Sequence, residues 1–150
     1  MKNKDLVNAL LLQDENLSNL IDSLENQKKA IIEGKYDDLE KSISNEQKLL
    51  RVVQEEELRR IKMIAEISNS NGMNLNNSSL DELLLKGKEF IGEDYKTIQR
   101  IRESIKIKIN DISKINAQLK VVIELSRNII KDTLMLVVGP RNQAFVNKRV

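Results

Sequence analysis

The amino-acid sequence predicts an all-α protein, an antiparallel up-down-up bundle of three long helices with coiled-coil packing and one short helix in the second connection. Three observations carry this. Apolar residues recur at alternating three- and four-residue steps over long stretches, the signature of a heptad seam. The chain is 40% hydrophobic and 32% charged but only 3% aromatic, which suits a thin bundle filled with Leu, Ile and Val and wetted on most of its surface. Glycine and proline, numbering 5 and 1, stand at or near the ends of the apolar runs. A chain of 150 residues fits a single domain.

The first helix is expected over about residues 3–33, on a seam of Leu6, Leu10, Leu17, Leu20, Leu24 and Ile31, with Gln13 and Gln27 at the missing steps. Gly34 stops it, because glycine accepts the left-handed conformation that ends helices. Asp37 and Asp38 then offer a cap and favourable charge for a second helix over about 37–68. Leu39, Ile43, Leu50, Val53, Ile61, Ile64 and Ile67 are expected to face inward there, with Leu58 taking over where the pattern drifts. Asn and Ser cluster from Ser68 to Ser79 as loop chemistry, and Ser79 with Glu82 makes a capping box for a short helix over about 79–86, ended near Gly87.

The third helix is expected over about 90–137. Its seam reads Tyr95, Ile98, Arg102, Ile105, Ile109, Ile112, Asn116, Leu119, Ile123, Ser126, Ile130, Thr133 and Val137. A second stripe runs beside it through Ile101, Ile115, Val122, Ile129 and Leu136. Gly139-Pro140 ends the helix, since proline cannot continue it, and a polar tail follows over 138–150. Folding the chain at its turns predicts two polar layers: Gln13 with Glu57 and Arg102, and Gln27 with Glu46 and Asn116.

Several function classes drop out. There is no Cys and no His, which removes thiol nucleophiles, disulfides, imidazole bases and nearly every zinc site; no Gly-rich phosphate loop appears either. The reading is therefore of a non-enzyme without catalytic residues, metal or cofactor. Net charge is +2, with 25 basic and 23 acidic residues interleaved as on solvated helix faces, so nucleic acid is not expected as a partner. No signal peptide or membrane span is legible, which predicts a soluble cytoplasmic protein without stable membrane insertion.

Length points to a binding surface. Level with the Gly34 turn at about Lys120, the third helix is expected to run on for about 25 Å. Two apolar stripes on a projecting helix demand a cover. The candidates are the tail with Phe145, a second copy of the chain, or an amphipathic client helix. The partner-binding residues are then Leu119, Val122, Ile123, Ile129, Ile130, Leu134, Val137 and Phe145.

The chain resembles the FlgN-type flagellar export chaperones. The turn Ile31-Ile32-Glu33-Gly34-Lys35-Tyr36-Asp37-Asp38-Leu39 is similar to that family's apolar–Gly–acidic–Leu junction, and Asn45-Glu46-Gln47-Lys48-Leu49-Leu50 to its Glu-rich second-helix motif. Leu75 with Leu80-Asp81-Glu82-Leu83-Leu84 looks like the central connector, and Ile115-Asn116-Ala117-Gln118-Leu119 like the Asn-containing stretch of the third helix, although the second Asn that often follows is missing. The resemblance implies a cytosolic chaperone in bacterial flagellum assembly. Its clients would be hook–filament junction (hook-associated) proteins, held by their C-terminal segment on the chaperone's C-terminal helix and tail and delivered for type III export. Docking to the export gate at the membrane is associated with a C-terminal Tyr in relatives; this chain has none after Tyr95, so that role would fall to Phe145. The competing reading is a structural coiled-coil homo-oligomer or adaptor with no export role.

Overall fold

A computed structural model describes residues 2–73 and 79–138, without the side chains of Lys2, Ile130, Thr133, Val137 and Val138. Every regular element among the described residues is helical: α1 (Lys2–Glu33), α2 (Tyr36–Ser70), α3 (Leu80–Lys86), α4 (Lys88–Ile91), a 3₁₀ turn (Gly92–Asp94) and α5 (Tyr95–Val138). Leu75 of the expected connector, the Gly139-Pro140 stop and the tail lie outside the described residues.

Local chemistry explains the boundaries. Gly34 adopts φ 69°, and the Lys35 amide reaches back to the Ala30 carbonyl at 2.9 Å while that of Gly34 reaches Ile31 at 3.3 Å, closing α1 in a Schellman motif. Replacing Gly34 by Ala meets no steric obstacle, yet forces a left-handed Cβ. A loss of about 1 kcal/mol in chemical denaturation is expected, against no loss for Gly34→Asn, which tolerates that region. Ser79 caps α3, its hydroxyl accepting from the Glu82 amide at 3.1 Å. Gly92, at φ 63°, separates α4 from α5. The third long helix therefore begins at Tyr95 instead of near residue 90, and α2 continues to Ser70, two residues past the expected end.

Contacts between α1 and α2 join the early part of α1 to the later part of α2 and the end of α1 to the start of α2. Gln13 Nε2 donates to Glu57 Oε2 at 3.0 Å, Ser23 Oγ to the Ser42 carbonyl at 2.9 Å, and Gln27 Nε2 to Glu46 Oε2. Those of α1 to α4 and α5 climb both sides of the pairing together. Asn3 Nδ2 donates to the Phe90 and Ile91 carbonyls at 3.4 Å, and Asp14 binds Ser104 Oγ at 2.8 Å and Lys108 Nζ at 2.9 Å. Further along, Lys28 Nζ donates to Gln118 Oε1 at 2.9 Å. Helices α2 and α5 each lie along α1, with little backbone approach to each other. Helix α1 thus makes the most extensive contacts with both other long helices.

That arrangement gives α1 two buried faces. Besides the expected leucines, Ala9, Asn16, Ser23 and Ala30 are buried, and these mostly small side chains let α2 approach closely. The main core gathers Leu6, Leu10 and Leu17 with Ile64, Ile67, Leu80, Leu83, Leu84, Ile91, Ile98, Ile101 and Ile105, where every long helix and α3 meet. A smaller one, Leu20, Leu24, Ile115 and Leu119, serves the Gly34 end.

Two expectations on side-chain direction are corrected. On α5, Ile98, Ile105, Ile112 and Leu119 of the expected seam face the core together with Ile101 and Ile115 of the second stripe, while the alternate seam positions Arg102, Ile109 and Asn116 are rotated off α1. Arg102 consequently pairs with Asp81 of α3 and with Glu103, and the exposed Asn116 is no part of the Gln27–Glu46 layer. On α2, Ile43, Leu50, Ile61 and Leu58 are exposed instead of facing inward, because α5 does not close over that side.

Candidate partner-binding surface

Two apolar surfaces remain uncovered among the described residues. The first is the end of α5. Asp14 is level with Ser104 and Lys28 with Gln118, an offset of 90 in both pairs. The last residue of α1, Glu33, therefore stands level with Ile123, and 124–138 run on for about 22 Å at 1.5 Å per residue.

The expected partner-binding residues divide along this line. Leu119 is buried with Leu20 and Leu24 and forms the root of the projection. Val122 is half-buried. Ile123, Ile129 and Leu134 are exposed, Ile129 at 66%. The side chains of Ile130 and Val137, and the whole of Phe145, lie outside the described residues. Val121, Leu125 and Leu136 belong to the same exposed surface, Leu136 at 88%. The second stripe of the sequence contained Ile129 and Leu136; Val121 and Leu125 extend its face toward Leu119 by four-residue steps from Ile129, although neither was on the expected stripes.

The second surface was not anticipated. Between α2 and α5, over a floor of Gln13 and Leu17, runs a groove of ≈ 670 Å³ walled by Val53, Gln54, Glu57, Leu58 and Arg60 on one side and Ile105 and Ile109 on the other. Ile43, Leu50 and Ile61 share the helical face of Gln54 and Glu57 by their three- and four-residue spacing, and extend that wall along α2. The signal was available: α2 and α5 each carry more apolar rows than one contact with α1 can bury.

Charges line and frame these surfaces: Glu57 and Arg60, paired with each other, stand in the groove wall itself. Arg102 holds the Asp81 carboxyl below the usual aspartate range, chiefly through its hydrogen bond, and thereby ties α3 to α5. A carboxylate whose folded pKa is depressed contributes stability above its ordinary value near 4, and loses that contribution as pH falls through the depressed value. Arg102→Gln is expected to return Asp81 toward the ordinary range in an NMR titration, and to make the α3 contact less sensitive to acid. At the Gly34 turn, Lys35 Nζ sits 3.0 Å from Glu33, lowering the Glu33 carboxyl and raising the Lys35 amine, mainly through their hydrogen bond.

Among the described residues no group of three acidic or metal-ligating side chains is placed to hold a metal ion, and no helix is long and apolar enough to cross a membrane. The described surface carries exposed apolar helix faces on an all-helical scaffold. The model of the family described as FlgN protein matches residues 1–147, and the chain belongs to that family, one of flagellar export chaperones. No curated protein and no solved structure matches the chain.

Proposed function

We propose that this chaperone holds the C-terminal segment of hook–filament junction proteins as an amphipathic helix on the projecting end of α5 and delivers it for type III export. The observation that carries the reading is the projection itself, about 22 Å of apolar helix past the last residue of α1, with Leu136 88% exposed. In this reading the three long helices form one up-down-up, coiled-coil-like domain acting in the cytoplasm. Leu119 and Val122 root the binding surface, while Ile123, Ile129, Ile130, Leu134 and Val137 meet the client. Phe145 of the tail serves the approach to the export gate. Neither nucleic acid, cofactor nor catalytic step has a part.

Burying four or five such side chains contributes roughly 6–15 kcal/mol gross. Association and ordering cost about 4–15 kcal/mol, so binding is reversible, as a delivery chaperone requires. Calorimetric titration of a junction protein's C-terminal segment into the full chain, and into a chain ending at Ile123, tests the proposal. Equal affinity for both would end it.

A further inference from the structure

We propose that two copies of the chain exchange their α5 ends, the projection of each lying in the α2–α5 groove of the other. The inserted helix runs antiparallel to the α5 that walls the groove. Each copy then becomes a four-helix bundle in cross-section, with α1 and the inserted helix diagonally opposed. The contact is closed and two-fold, its axis passing near the two Gly34 turns.

Three features support a second copy as the occupant. The first is length. From Ile123, level with the Gly34 turn, back to Ile109, the near end of the groove wall, is about 21 Å of α5, and the projection supplies about 22 Å. The second is chemistry: Leu136 of one copy arrives between Leu50 and Ile109 of the other, all three of them exposed in the single chain. In the same register Arg127 comes level with Glu40 on the groove's rim, to within about a turn. The third is topology. An unbroken helix leading away from its own groove cannot turn back into it, so the match in length and polarity can be used only between two molecules.

If the proposed function holds, client and second copy contend for the same strip, and the exchanged pair is the resting form that a client must open. The pairing itself does not depend on that reading.

Sedimentation equilibrium of the full chain over a wide concentration range is expected to show a dimer. Ile109→Glu, in the groove wall, and Leu136→Glu, in the projection, should each raise its dissociation constant by about a hundredfold or more, as both copies lose a buried contact to a charge. Both positions are exposed in the single chain, 53% and 88%, and unchanged thermal melting confirms that the variants fold. Mixing the two variants should recover a weaker dimer, because one groove of the mixed pair has an intact wall and receives an intact projection. A wild-type chain that stays monomeric, as it would with its own tail or a foreign helix in the groove, overturns the proposal. So does an Ile109→Glu chain that dimerises normally, which would mean that the α5 ends pair with each other alone. Adding a junction protein's C-terminal segment should convert the dimer to a one-to-one complex. A dimer that ignores the segment would sink the client reading and leave the exchange standing.

Discussion

A chain ending at Ile123 is expected to lose measurable affinity for its client while keeping its fold. The cut falls level with Glu33, the last residue of α1, and among the described residues nothing beyond Leu119 belongs to either buried cluster. Stability should fall by no more than about 1 kcal/mol, a shift of a few degrees in melting temperature for a domain of this size. Affinity behaves differently, because the deleted turns carry the apolar contacts and the costs of association remain. The truncation also removes the tail, so a full-length Leu134→Glu/Leu136→Glu variant separates the two contributions. It should lose affinity nearly as completely if the projecting turns hold the client. Retained affinity in the double variant would assign binding to the tail instead.

Replacing Ile98 by Ala is expected to cost about 2–5 kcal/mol in chemical denaturation. Ile98 is fully buried, in the cluster that joins Leu6 and Leu10 of α1, Ile64 and Ile67 of α2, and Leu83 and Leu84 of α3. A cavity there can be filled only by moving several helices at once, which places the cost toward the upper part of that range. Against a total stability of roughly 5–15 kcal/mol, one such change removes a large share. Ile109→Ala, on the same helix but 53% exposed, should cost well under 1 kcal/mol in the isolated chain. If both substitutions cost the same, α5 would be seated differently on α1.

Most of the architecture was legible, and the failures share one cause. Gly34, Ser79 and Gly87 punctuated the chain where the structure ends and begins its helices, because such signals are local: a left-handed φ at Gly34, a capping hydroxyl at Ser79. Gln13–Glu57 and Gln27–Glu46 followed from folding the chain at Gly34, since a short turn leaves little freedom of register. The direction of side chains on α5 could not be settled in the same way. Isoleucine occupies both its rows, at Ile101 and Ile115 and again at Ile109 and Ile123, so periodicity is equally satisfied by either.

What decides between the rows is the position of α1, a long-range fact. A symmetric three-helix seam was the simplest assumption, and it placed Arg102 and Asn116 inside. The second buried face of α1 escaped notice because Ala9, Asn16, Ser23 and Ala30 are small or polar and leave little trace in an apolar pattern. The groove escaped with it, being the counterpart of a central helix flanked on two sides. The projection of α5 required only helix lengths and a turn position, and so was anticipated to within a turn.

The unsupported end of α5 also has a mechanical side. Force applied to a passenger near Leu136 acts on a lever whose fulcrum is the small cluster of Leu20, Leu24, Ile115 and Leu119, far from the thick end anchored by Ile98 and Leu83. A sideways tug would peel the helix away starting at Leu119, opening the weakest joint first and sparing the rest. On the proposed function, cargo pulled toward the export machinery would thus meet a hinge that yields gradually, not a grip that must be broken all at once.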